Sequence, residues 1–293
     1  MPKSKNKNAI ALGSFDGLHL GHMAVLNSAL EIRNMSPCAA TFHVPPRQSG
    51  RQLLSLLMPA EDKLLVLKRM GFKDIFSLDF EEIKDLSPKD FFEILLEKYD
   101  AGAVCCGFNY HFGKNAEGNH ETLRNLCEEN DVLCVVCPEK KVDGDIVSSS
   151  AIRHLVGTGD MPCAGKLLGR PFSFFSEVIG GDQRGRTLGF PTINQYYPTD
   201  MVEPKYGVYA CFAVVDGKEM PAICNIGIRP TFRVDNTYCE TYIFDYSGDL
   251  YDKMIEIKLI KFLREEKKFA QVEQLVEAIK NDVEVAKEYI NAR

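Results

Sequence analysis

The chain has 293 residues, 45% of them hydrophobic, and sets 35 basic against 41 acidic side chains for a formal net charge of −6. That length predicts two domains, since single cores stop growing near ~250 residues. The acidic balance argues against a general nucleic-acid binder, and no run reaches the ~18 apolar residues that a membrane span needs.

The opening MPKSKNKNAI is basic but has no apolar run before the first strand, so no secretory signal is expected. The ten cysteines then read as reduced thiols of a cytoplasmic protein. Cys134 and Cys137 form a CxxC, but they lie in an apolar run that reads as a strand. Residues three apart on a strand face opposite sides, so a structural role outweighs zinc or redox chemistry.

Ala9–His22, AIALGSFDGLHLGH, sets the pattern for the first half. Ile10–Leu12 predicts a buried strand, Gly13, Asp16 and Gly17 break it, and a helix is expected from near Leu20. Strand, glycine turn and helix N-terminus make an anion-binding corner, with His19 and His22 placed to donate to phosphate oxygens. Further strands are expected at Cys38–Phe42, Ile75–Leu78, Ala103–Cys106 and Val132–Cys137. Helices are expected at Glu61–Met70, Pro88–Tyr99 (capped by Ser87) and Glu121–Asn130. This alternation predicts a doubly covered parallel sheet. Its ligands would sit at the carboxyl ends of strands, where the Ala9–His22 corner, the Thr41–Arg47 turn and the Gly107–Gly118 loop could share one cleft.

After Ser148 the pattern changes. Ala151–Val156 reads as a short helix and GTGDMPCAGK as a loop or connector; Asp160 and Leu167 exclude a Walker A motif there. Strands are expected at Phe172–Ile179, Tyr206–Val215, Met220–Ile226, Cys239–Tyr246 and Ile255–Phe262. Asp216–Gly217 and Ser247–Gly248 read as tight hairpin turns, so the second half is an antiparallel barrel or sandwich. Val272, Leu275, Val276, Ile279, Val283, Ala286 and Ile290 mark a closing helix packed on it. Between the first two strands, Gly180–Asn194 (GGDQRGRTLGFPTIN) reads as a phosphate-closing loop with Arg184 and Arg186. Thr192 and Asn194, two apart, offer hard oxygen ligands of the kind that suit Mg²⁺ carrying a nucleotide.

GSFDGLHLGH is close to the signature of HxGH nucleotidylyltransferases. With TFHVPPR, GFNYHFGKNAEG and VSSSAIR following in order, the first half resembles the FMN adenylyltransferase module of bacterial bifunctional riboflavin kinase/FAD synthetases. The second half resembles the kinase module. GRTLGFPTIN is similar to its GRxLGFPTAN signature, and PKYGVYA, NIGIRPTF, CETYIFDYSGDLY and FLREEKKF follow in family order. The resemblance implies a Rossmann-like adenylyltransferase domain over residues 1–157 and a β-barrel riboflavin kinase domain with a C-terminal helix over 165–293. It implies that riboflavin and ATP give FMN, and that FMN and ATP give FAD and pyrophosphate, with Mg²⁺ accompanying the nucleotide.

By the same resemblance, His19, His22 and the corner residues Gly13, Phe15, Asp16 and Gly17 hold ATP phosphates. Asn109 contacts the nucleotide or flavin phosphate, and Ser148, Ser149 and Arg153 bind the triphosphate. Glu240 is the kinase base, Gly185, Arg186, Thr192 and Asn194 bind its nucleotide, Thr192 and Asn194 hold the metal, and Arg264 is on the flavin side. Val44-Pro45 stand where a Pro-His pair is common, Tyr110-His111 replace Phe-Arg, and Ser150-Ala151 replace Thr-Arg. Three alternatives therefore stand beside the bifunctional reading: a riboflavin kinase with a degraded first half, transfer of a nucleotide to another phosphate, and a non-catalytic flavin or nucleotide sensor. No nucleic-acid or membrane partner is expected, and the sequence leaves the oligomeric state open.

Overall fold

The apolar runs of the first half pair side by side as predicted. A computed structural model describes residues 7–42, 55–181, 184–228 and 237–292, with the side chains of Arg184 and Arg186 outside the described set. The chain divides into two units, Met1–Ser149 and Ser150–Arg293.

The first unit begins β1 (Asn8–Leu12), α1 (Leu20–Glu31), β2 (Ser36–Phe42), α2 (Ala60–Arg69), β3 (Asp74–Leu78), α3 (Phe80–Ile83), α4 (Pro88–Glu97) and β4 (Ala101–Gly107). It continues with the short pair β5 (His111–Phe112) and β6 (Gly118–Asn119), then α5 (His120–Glu129) and β7 (Leu133–Cys137). A second short pair, β8 (Lys141–Val142) and β9 (Asp145–Ile146), ends it. The main sheet runs β3-β2-β1-β4-β7, every pair parallel. Both faces are covered. Ile10 and Leu12 pack with Phe91, Phe92 and Leu95 of α4 and Leu123 of α5. Ala11, on the opposite face, packs with Val25, Leu26 and Ala29 of α1 and Leu67 of α2. Burial on both faces is why these strands read as unbroken apolar runs.

The CxxC splits as strand geometry requires. Cys134 packs on the α5 face, and Cys137 lies on the α1 face with its Sγ 3.6 Å from Ser28 Oγ. Ser87 caps α4 in a full capping box, accepting from the Asp90 N–H while Asp90 accepts from the Ser87 N–H.

The remaining elements are α6 (Ser149–Thr158), α7 (Met161–Leu168), β10 (Phe172–Ile179), α8 (Arg184–Thr187), β11 (Thr192–Tyr196), β12 (Gly207–Val215), β13 (Lys218–Ile228), β14 (Thr237–Ile243), β15 (Met254–Arg264) and α9 (Val272–Asn291). The strands close an antiparallel barrel in the order β10-β11-β14-β13-β12-β15.

Four sequence expectations are corrected here. GTGDMPCAGK is not a connector, because α7 occupies it. Asp160 accepts from the Cys163 N–H at its start, and Gly169 ends it at φ 76°. Thr192–Tyr196 is a barrel strand and not loop, and Arg184–Thr187 forms a turn of helix. Asp216–Gly217 is the tight turn between β12 and β13, with φ values of 49° and 78°, but Ser247–Gly248 joins no neighbouring strands. β14 pairs β11 and β13, and β15 pairs β10 and β12. Val272 is 56% exposed, so the packed stripe of α9 starts after it. No helix among the described residues is long and apolar enough to cross a membrane.

Ser87→Ala removes the α4 cap and is expected to lower the first unit's stability by about 1 kcal/mol in equilibrium urea unfolding. Stability unchanged within about 0.3 kcal/mol would show that the cap is dispensable.

Candidate functional sites

The corner after β1 is held in a strained shape by its own burial. Phe15 and Leu18 take left-handed φ values of 51° and 45°, and both are 1% exposed. Gly17 sits between them at φ 80°, where a Cβ would come within 2.7 Å of Leu57. Non-glycine left-handed residues persist only where packing over-determines them, and such residues cluster at functional sites.

Asp16, 4% exposed, ties the corner down: its Oδ1 accepts from the Leu57 N–H at 2.9 Å, and its carbonyl accepts from Ser149 Oγ at 3.1 Å. His19 then caps α1, its Nδ1 accepting from the His22 N–H at 3.2 Å. That acceptance puts the His19 ring proton on Nε2. The two imidazoles stack with centroids 3.6 Å apart, and Phe15 packs edge-on to His22.

The carboxyl ends of β2, β1 and β4 stand side by side, so the predicted cleft-forming loops do start from neighbouring strands. Asn109 is exposed just beyond β4 and its carbonyl pairs with His111 Nδ1 at 3.0 Å. Tyr110 keeps an aromatic role, stacking on Phe112 against the core, and burial pushes its phenol pKa up. Ser148 and Ser149 are half-buried at the end of the first unit, whereas Arg153 lies on α6 in the second. His43, Val44 and Pro45 lie outside the described residues.

The second site is set by strand register. Asn194 of β11 pairs with Glu240 of β14, and Glu240 in turn pairs with Asn225 of β13. Two residues along, Thr192 and Ile223 flank Tyr242. Period-two alternation puts these residues on one face, while Cys224, Cys239, Thr241 and Gln195 alternate with them and are buried. Glu240, Asn194, Asn225 and Thr192 line a cavity of about 350 Å³. Leu275, Ile279 and Asp282 of α9 also line it.

Gly185 lets the preceding loop fold tightly: its carbonyl accepts from the Phe190 N–H at 2.8 Å, and a Cβ there would sit 2.4 Å from the Phe190 oxygen. The Arg186 side chain lies outside the described residues. Thr192 also lines a second cavity of about 580 Å³, formed with Pro191, Tyr246, Gly248 and Tyr251.

A family model described as riboflavin kinase matches residues 168–290, and one described as FAD synthetase matches residues 1–151. The chain belongs to the bifunctional riboflavin kinase/FMN adenylyltransferase family. Relatives bearing that name occur in Bacillus subtilis (33% identical, covering 97% of this chain and 93% of the relative) and Listeria monocytogenes (34%, covering 93% and 89%). One from Escherichia coli strain K12 is 30% identical, covering 96% and 92%. A crystal structure described as a macrolide-efflux protein from Streptococcus pneumoniae superposes with a TM-score of 0.87 at 28% identity, covering 96% of this chain and 94% of the other.

Two features of this family member were not read from its sequence. Lys63 is buried against the corner, although a lysine in the charged opening of α2 reads as solvated. Arg264 lines the cavity, but its guanidinium is engaged. Nε and Nη2 donate to the Asp282 carboxylate at 2.9 and 2.7 Å, and the ring of Phe269 lies 5.8 Å away. Arg264 thus ties β15 to α9, and any flavin contact would be made by an already paired group.

Asp282, 3% exposed, is the partner that makes this arginine tolerable. Asp282→Ala is expected to cost about 3 kcal/mol of stability in the second unit. Thermal unfolding checks this, and an unchanged midpoint would contradict it.

Proposed function

We propose an assignment of the family's two reactions to the two units, residue by residue. The chain phosphorylates riboflavin to FMN and adenylylates FMN to FAD. The first unit performs adenylyl transfer and the second performs phosphorylation.

In the second unit, Glu240 takes the proton of the terminal ribityl hydroxyl as that oxygen attacks the γ-phosphorus of ATP; the bond to the ADP oxygen breaks. The observation that carries this reading is the pairing of Asn194 with Glu240 on the wall of one cavity. The riboflavin ring belongs in the cavity that holds Glu240, against the apolar side chains Leu188, Ile223 and Ile279. ATP belongs in the cavity on the Tyr246–Tyr251 side, since Thr192 lines both.

The Thr192 hydroxyl and Asn194 amide carbonyl fit a hard cation, being neutral oxygen donors beside the Glu240 carboxylate on the cavity wall. They would hold Mg²⁺, which when bound neutralises phosphate charge. Asn194 is 7% exposed, so its orientation is fixed by packing before substrates arrive.

In the first unit an FMN phosphate oxygen attacks the α-phosphorus of ATP and pyrophosphate leaves. No proton has to move in this step, so the residues position and stabilise charge. Gly13, Phe15, Asp16 and Gly17 supply the backbone of the corner, His22 and the Nε2–H of His19 donate to phosphate oxygens, and Ser148 and Ser149 bind at the same end of the sheet. Asn109 contacts the flavin or nucleotide phosphate. The ten cysteines, read as reduced thiols, suit a cytoplasmic setting.

Separate inactivation tests the assignment. Glu240→Gln is expected to slow FMN formation from riboflavin by about 10²–10⁴-fold and to leave FAD formation from supplied FMN intact. His22→Ala is expected to do the reverse, slowing FAD formation by about 10²-fold. Chromatography of products reads both, and a Glu240→Gln variant that still makes FMN at the parental rate would refute the kinase assignment.

A further inference from the structure

Lys63 is a buried cation to which neither reaction has yet given a role. It lies on α2, 3% exposed, and its ammonium has three acceptors: Ser14 O at 3.0 Å, Thr41 Oγ1 at 3.2 Å and Phe42 O at 2.7 Å. Thr41 Oγ1, 1% exposed, itself donates to Ser14 O at 2.9 Å. The acceptors belong to two segments, the corner after β1 and the carboxyl end of β2. Lys63 therefore joins the anion-binding corner to the neighbouring strand end with as many hydrogen bonds as an ammonium can make.

Hydrogen bonding alone does not explain a charge at this position. Burial pulls the Lys63 pKa down from its usual 10.5 to about 8, against the opposing pull of Asp16. A neutral donor would serve the same oxygens without the cost of desolvating an ammonium. What a charge adds is a positive field behind backbone amides that face an anion, in a setting where water does not screen it.

We propose that Lys63 is a positioning residue for adenylyl transfer: its ammonium locks the corner to the end of β2 and lends positive charge to the amides that receive the ATP phosphates. This rests on the assignment of adenylyl transfer to the first unit.

The test starts the parent and Lys63→Met from FMN and ATP, so that only FAD formation is read. The two proteins are then compared on riboflavin. The expected result is a rise of about tenfold or more in the KM for ATP in FAD formation, with kcat within about threefold. The KM for ATP in FMN formation should be unchanged. A residue that served only packing would lower the melting temperature and leave that KM where it was, so an unchanged KM overturns the proposal. Thr41→Val, which removes one acceptor and keeps the shape, is expected to raise the same KM about threefold. If Lys63→Met does not fold, an unchanged KM in Thr41→Val overturns the proposal instead. A parent protein that makes no FAD from FMN would overturn the underlying assignment, and this proposal with it.

Discussion

Backbone hydrogen bonding fixes where each reactive group in this molecule can stand. In the barrel, the antiparallel register sets Asn194 opposite Glu240 and Glu240 opposite Asn225. The side-chain period is two, so a slip of one residue on β14 would turn Glu240 into the barrel interior and bring Cys239 or Thr241 out. In the first unit the parallel register of β2, β1 and β4 brings their carboxyl ends into line, the end at which the corner after β1 and the turn after β4 begin. Both sites are built on ends and faces of hydrogen-bonded strands.

The two sites meet their chemical requirements differently. Phosphorylation of a hydroxyl needs a proton acceptor, and the second unit has the Glu240 carboxylate on a cavity wall beside the amides of Asn194 and Asn225 and the hydroxyl of Thr192. Adenylyl transfer between phosphates needs none. The first unit instead gathers donors and positive potential: amides in a strained corner, two stacked imidazoles and a buried ammonium. The buried pairs have separate tasks as well. Arg264 and Asp282 join a strand to α9 at the cavity wall, whereas Lys63 donates to three neutral oxygens and keeps its charge beneath the corner.

Much of this was legible in the sequence, because local chemistry and tertiary structure agree there. The apolar run Ile10–Leu12 followed by Gly13, Asp16 and Gly17 reads as a strand ending in a turn, and Ser87-Pro88 reads as a helix start. β11 was harder. Asn194 and Gln195 are both buried, 7% and 0% exposed, so the strand lacks the polar–apolar alternation that would mark it. α7 was hidden by Gly157, Gly159, Pro162 and Gly165, which punctuate like a loop; only its caps, Asp160 and Gly169, define it. Asp216–Gly217 and Ser247–Gly248 look alike as dipeptides, and nothing local says that only the first joins neighbouring strands. The burial of Lys63 and the pairing of Arg264 were not legible because their acceptors lie far along the chain, 49 residues away at Ser14 and 18 at Asp282.

The central claim is that one chain carries both reactions in succession. The direct measurement is a time course, resolved by chromatography, of the full chain with riboflavin, ATP and Mg²⁺. The account predicts that FMN appears first and then declines as FAD accumulates. FMN that persists with no FAD would contradict the assignment of adenylyl transfer to the first unit, and the absence of both products from folded protein would contradict the account as a whole.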